Sequence, residues 1–201
     1  EYDESEYAHC LAQWCGFELL EIDITAQDFI DHIRQVIYHL DYPTAGPGSF
    51  SQYMVSQLAA KHRKVVLGGQ GGDEIFGGYT RYLIAYFEQC IKAAIEGTMY
   101  NGNFIVTYES IIPNLTALAG YKSTLQEFWK EGLFESMDSR YFRLINRAPL
   151  LGDEVDWQAL GDYSPFETFL HIFNGNNVEK ESYFDLMTHF DFKTLLPALL
   201  H

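Results

Sequence analysis

The sequence predicts an α/β fold over residues 1–79 that passes into a mainly helical region over residues 80–201. Two observations carry this reading. In the first stretch, short apolar segments of strand composition alternate with amphipathic helical ones, and the order strand, helix, loop, helix, strand implies a parallel sheet. In the second stretch, apolar residues recur three and four positions apart with almost no two-residue alternation.

Residues 7–14 read as a short helix and residues 18–24 (ELLEIDI) as a strand. Thr25 opens the next helix with Asp28 three residues on, a capping-box pattern. Phe29, Ile33, Val36, Ile37 and Leu40 fall on one face of it. The segment 41–48 (DYPTAGPG) holds two prolines and two glycines and reads as a loop. Ser49 is placed to cap a second helix whose buried side carries Phe50, Tyr53, Met54 and Leu58. Residues 64–67 (KVVL) form a short apolar strand that runs into a glycine-rich stretch. Beyond Thr80, helical stripes follow one another: Leu83, Phe87, Ile91 and Ala94; Leu125, Phe128 and Trp129; Phe134, Met137, Tyr141, Leu144 and Ile145; Phe166, Phe169, Leu170 and Phe173; Tyr183, Phe184, Met187 and Phe190. Their spacing predicts helix-packing core. A parallel sheet is built from several strands and buried on both faces. Two candidate strands therefore suggest a chain that begins inside a domain.

Composition narrows the function classes. With 47% hydrophobic and 20% charged residues over 201 positions, the chain can bury a core. A net charge of −15 opposes nucleic acid and anionic membrane as partners. No apolar run is long enough to span a bilayer, and the acidic start does not read as a signal peptide. Three cysteines without framework spacing (Cys10, Cys15 and Cys90) predict a reducing, cytoplasmic setting, with Cys10 and Cys15 as small core residues. The seven histidines form no metal-binding pair, and the run Lys61–Lys64 reads as a solvated strand entry.

The stretch 65–79, VVLGGQGGDEIFGGY, is the most informative. A buried strand delivers glycines to the C-terminal edge of a sheet, where open α/β folds bind ligands. Gly68, Gly69, Gly71 and Gly72 let backbone N–H groups approach a ligand with no Cβ in the way. Asp73 and Glu74 follow at the start of the next helix, as caps or metal ligands. A phosphate-binding P-loop is excluded because no lysine follows. A dinucleotide fingerprint is excluded because Glu74 stands where a third glycine belongs. Arg81 lies just past the loop and is placed to pair with it. A tight turn followed by a capped helix accounts for the same residues without any ligand.

Residues 67–79, LGGQGGDEIFGGY, resemble the LSGEGxDExFGGY motif of asparagine synthetases. The resemblance extends to residues 2–8 (YDESEYA), 41–49 (DYPTAGPGS) and 192–200 (FKTLLPALL), nearly end to end. It implies an internal piece of an ATP-pyrophosphatase, HUP-type synthetase domain. Such a domain adenylates the side-chain carboxylate of aspartate with ATP and amidates it with ammonia that a glutaminase domain releases from glutamine. By position, Gly68, Gly69, Gly71 and Gly72 contact the nucleotide, Asp73 ligates Mg²⁺, and Glu74 supports that ligand or caps the helix. Gln70 stands where the family motif has a glutamate tied to adenylate formation. A glutamine positions a group but takes no proton at neutral pH. A β-lactam synthetase-like enzyme and a non-catalytic relic are the alternatives. The implied sheet edge predicts self-association through residues 18–24 or 64–67, and with it a homo-oligomer.

Overall fold

The structure, a computed structural model, describes residues 4–41, 48–101, 104, 108–176 and 182–200. The chain divides between Gly68 and Gly69 into two compact units.

The first unit holds three helices among its described residues: α1 (Ser5–Cys15), α2 (Ala26–Leu40) and α3 (Gly48–Ala60). Helix α1 stops at Gly16, whose positive φ of 68° lets its N–H reach back to the Ala12 carbonyl. The predicted capping box opens α2: the Thr25 side chain accepts from the Asp28 N–H, and Asp28 accepts from the Thr25 N–H at 2.8 Å. Helices α2 and α3 pack through Val36, Phe50 and Met54, with Ile22, Ile33, Leu40 and Tyr53 around them. The edge of Phe29 meets Phe50 at a ring separation of 5.0 Å. Ser49 lies inside α3, which begins one residue earlier; most of the 41–49 loop lies outside the described residues.

The second unit carries α4 (Gly72–Phe76), α5 (Thr80–Glu96), α6 (Tyr108–Ile111), α7 (Lys122–Trp129), α8 (Met137–Ile145), α9 (Ala148–Leu151), α10 (Pro165–Phe173), α11 (Tyr183–Lys193) and α12 (Leu195–Leu200), with 3₁₀ turns at Ile112–Tyr121, Gly152–Glu154 and Trp157–Leu160. Ser164 caps α10 from the position before Pro165, and Ser182 caps α11. The core lies between α5, α8, α10 and α11. Tyr82, Ala85, Tyr86 and Cys90 of α5 meet Met137 and Tyr141 of α8, Phe169 and Phe173 of α10, and Leu186 and Met187 of α11. The aromatic rings stack through it: Phe169 lies 4.8 Å from both Phe173 and Phe190. A smaller cluster joins Ile84, Leu118 and Phe128. The predicted helical stripes of this region are therefore core, although α5 buries a face one position away from the expected one and Phe134, expected in the α8 stripe, lies in the turn before that helix with a φ of 66°.

The predicted α/β class and its HUP-type parallel sheet are not seen. The described residues contain no strand, and segments 18–24 and 64–67 are coil. No described backbone hydrogen bond pairs either segment with another part of the chain. A strand exists only through a ladder to its neighbours, so β-type composition without a paired partner yields coil. The apolar residues of the second segment stand open, with Val65 80% and Leu67 99% exposed. Cys10 and Cys15 are also exposed rather than core; only Cys90 is buried, and burial pushes its thiol up to about 11.

Candidate functional site

The glycine-rich acidic stretch opens as coil through Gly69, turns at Gln70 and Gly71, and closes on the single helical turn α4. Gly71 has a φ of 96° and Gly77 a φ of 72°, so both ends of α4 rest on left-handed backbone that only glycine takes without strain. The Gly78 N–H donates to the Asp73 carbonyl at 2.9 Å and completes the turn. Gln70 and Asp73 are exposed. A Cβ at Gly78 would fall directly on Asp73 Oδ1, so the Asp73 carboxylate is folded over a bare glycine. Glu74 points the other way. It is 1% exposed and accepts the Tyr79 hydroxyl at 2.9 Å. Burial first, and the Glu74 carboxylate second, push the Tyr79 phenol up to about 12.

Arg81 does not pair with the acidic loop. Its guanidinium lies 3.7 Å from the centroid of the Tyr79 ring and donates from Nη2 to Asp191 Oδ2 at 2.7 Å. The same carboxylate oxygen accepts the hydroxyls of Tyr82 and of Tyr141, the latter at 3.0 Å. Asp191 is buried on α11, and its three donors come from α5 and α8. Burial, and then the Asp191 charge, raise both tyrosine pKa values well above the ordinary range. Burial works against the Arg81 charge, but Tyr141 and Asp191 outweigh it and hold the guanidinium ionised.

Helices α11 and α12 close the loop from outside. Phe184 of α11 presses on Gly77, where a Cβ would come within 2.7 Å of its ring, and Leu196 of α12 lies 3.5 Å from a Cβ position at Gly71. A second buried charge pair ties the unit together farther away: Arg140 of α8 holds both oxygens of Glu88 on α5, at 2.6 and 2.7 Å, with both side chains 1% exposed.

The structure thus brings Asp73 and Glu74 onto one helical turn and points them apart. Gln70 stands in solvent at the turn before them. Gly69, Gly71 and Gly72 belong to this same unit, whereas Gly68 is the last residue of the first unit. Sequence reasoning missed Asp191, Tyr82, Tyr141, Glu88 and Arg140. The signal available was polar residues embedded in apolar stripes, Asp191 between Phe190 and Phe192 above all. Among the described residues no group of three or more His, Cys, Asp or Glu side chains is placed to hold a metal ion. A Mg²⁺ site on a nucleotide asks for less, one or two carboxylates with the rest supplied by phosphates and water, and the exposed Asp73 carboxylate meets that demand. No described helix is long and apolar enough to cross a membrane.

The family model for asparagine synthase matches residues 1–201. The chain belongs to the asparagine synthase family. It is 26% identical over 185 residues to asparagine synthetase (glutamine-hydrolyzing) 1 of Bacillus subtilis strain 168, a match that covers 92% of this chain and 27% of that protein. It is 44% identical over 62 residues to asparagine synthetase B (glutamine-hydrolyzing) of Escherichia coli K12, covering 29% of this chain and 11% of that protein. A third family member, asparagine synthetase (glutamine-hydrolyzing) 3 of Arabidopsis thaliana, is 39% identical over 72 residues, covering 34% of this chain and 12% of that protein. The chain therefore spans about a quarter or less of the length of these relatives. No solved structure matches it.

Proposed function

We propose that this chain belongs to a ligase of asparagine biosynthesis that activates the side-chain carboxylate of aspartate with ATP and amidates it with ammonia drawn from glutamine. The observation that carries this reading is the family match over residues 1–201, together with the 67–79 stretch folded as a glycine turn followed by a helical turn that carries the exposed Asp73. Gly68 and Gly69, exposed in the coil before the turn, offer backbone N–H groups to the nucleotide; Gly71 is buried, and the Gly72 N–H donates instead to the Gly69 carbonyl at 3.3 Å. Asp73, exposed and unburdened by a Cβ at Gly78, would hold Mg²⁺ on the phosphates. That ion, when bound, neutralises charge developing on the departing pyrophosphate. Glu74 is turned inward to Tyr79, so it shapes the turn rather than meeting substrate. Gln70 positions a substrate or nucleotide group and moves no proton, because an amide does not ionise at neutral pH. A glutaminase domain as ammonia source completes the proposal.

The test is pyrophosphate release from ATP by the complete protein that carries this sequence, with aspartate and with other carboxylates. Asp73→Asn is expected to abolish release while circular dichroism stays unchanged. Wild-type release by that variant would remove the assignment of Asp73. Release that depends on a carboxylate other than aspartate would favour a β-lactam synthetase-like relative. Gln70 is the one observation that favours a second reading, a family member that binds without turnover. No release under any substrate would support it.

A further inference from the structure

We infer that Asp191, more than a hundred residues from the acidic loop, is a positioning residue that acts on Glu74 through Arg81 and Tyr79. This rests on the reading of residues 67–79 as the nucleotide-facing loop. The chain of contacts is continuous. Asp191 Oδ2 holds the Arg81 guanidinium at 2.7 Å; that guanidinium lies 3.7 Å from the centroid of the Tyr79 ring; and the Tyr79 hydroxyl donates to Glu74 at 2.9 Å. Each member is constrained. Arg81 cannot swing away without leaving an almost wholly buried carboxylate whose Oδ2 Tyr82 and Tyr141 also hold. The planar guanidinium fixes the tilt of the phenol ring, which a lysine ammonium cannot do. Glu74, 1% exposed, is held by the Tyr79 hydroxyl it accepts. Asp73 precedes Glu74 on the same five-residue turn, and α11, which carries Asp191, also presses Phe184 onto Gly77 at its end. A shift of Asp191 therefore reaches the carboxylate that faces the nucleotide.

The purpose of such a relay follows from the loop itself. A single helical turn flanked by glycines on left-handed backbone has little stiffness of its own. Catalysis needs the reacting groups held to within a few tenths of an ångström, and a misplacement of about 1 Å costs on the order of a hundredfold in rate. The stiffness is supplied by an ion pair to a buried carboxylate and by two phenols.

Two measurements on the complete protein test this. The first is kinetic. Asp191→Asn, which keeps shape and one acceptor oxygen, is expected to lower kcat for pyrophosphate release by roughly tenfold to a hundredfold, with KM for ATP changing far less. Tyr79→Phe is expected to lower kcat as well. The Asp191→Asn/Tyr79→Phe double variant is expected to be no slower than the slower single one, because both cut the same chain of contacts. Losses that multiply would show that Asp191 acts on the fold alone and would overturn the inference. The second measurement needs no activity. With tyrosines labelled at ¹³Cζ, the Tyr79 resonance, identified by its disappearance in Tyr79→Phe, is expected to shift in Asp191→Asn and in Arg81→Lys. A Tyr79 resonance unmoved in both variants would overturn the relay. If the wild-type protein releases no pyrophosphate while the Tyr79 resonance shifts as expected, the functional reading falls and the relay stands.

Discussion

Arg140→Met breaks a buried, multiply hydrogen-bonded ion pair, and its cost follows from the bonds it removes. The guanidinium donates to both oxygens of Glu88 at 2.6 and 2.7 Å and to the carbonyls of Glu131 and Phe128 at 2.6 and 2.7 Å, while packing 3.9 Å from the centroid of the Phe128 ring. Methionine keeps the apolar stem and strands a 1% exposed carboxylate with no cation to answer it. Breaking a buried pair from one side costs about 3–5 kcal/mol. Set against a whole-domain stability of about 5–15 kcal/mol, that is roughly a fifth of the total or more. Glu88→Gln removes the charge but keeps one acceptor and leaves both carbonyl bonds of Arg140 in place. It is expected to cost about 1.5–3 kcal/mol, the worth of a charged hydrogen bond. The double variant Glu88→Leu/Arg140→Met buries no charge and is expected to be more stable than Arg140→Met alone. Urea unfolding followed by circular dichroism reads all three as shifts in midpoint at constant slope. An Arg140→Met unfolding free energy within about 1 kcal/mol of wild type, or single and double costs that simply add, would refute this account of the pair.

The other expectations are shorter. Gly77→Ala places a Cβ on left-handed backbone against Phe184, for about 1–2 kcal/mol of backbone strain and a further 1–3 kcal/mol or so of overpacking; an unchanged melting temperature would contradict it. Gly78→Ala pushes the Asp73 carboxylate aside, so pyrophosphate release should fall with little change in melting temperature, and full activity would show that Asp73 need not lie where the structure puts it. Tyr79, Tyr82 and Tyr141 all have pKa values raised above the unfolded value of 10.0, so the fold favours their neutral forms. That contribution is fully present below pH 10 and is lost as the pH rises through it, up to about 12 for Tyr79. The melting temperature should therefore drop on the alkaline side, and less steeply in Tyr141→Phe.

The sequence by itself determined the local elements of this protein. Thr25 and Asp28 announced α2 because a capping box needs only neighbours along the chain. The stripes from Phe128 to Phe190 announced core helices because a helix satisfies its own backbone and shows its buried face as a period. The 67–79 motif pointed to the family, because its thirteen positions are specific in order as well as type. Strands are different. Residues 18–24 and 64–67 have β-type composition, but a strand is made by its neighbours, and none pairs with them in the described chain. Only the tertiary structure decided which polar groups go inside. Position along the sequence does not by itself settle that Asp191, Tyr82, Glu88 or Arg140 is buried, and Arg81 reads there as a partner of the acidic loop rather than of Asp191. What buries them is packing between helices 50 to 110 residues apart. In that environment water no longer screens or solvates a charge, so each must find its partner across the fold rather than along the chain.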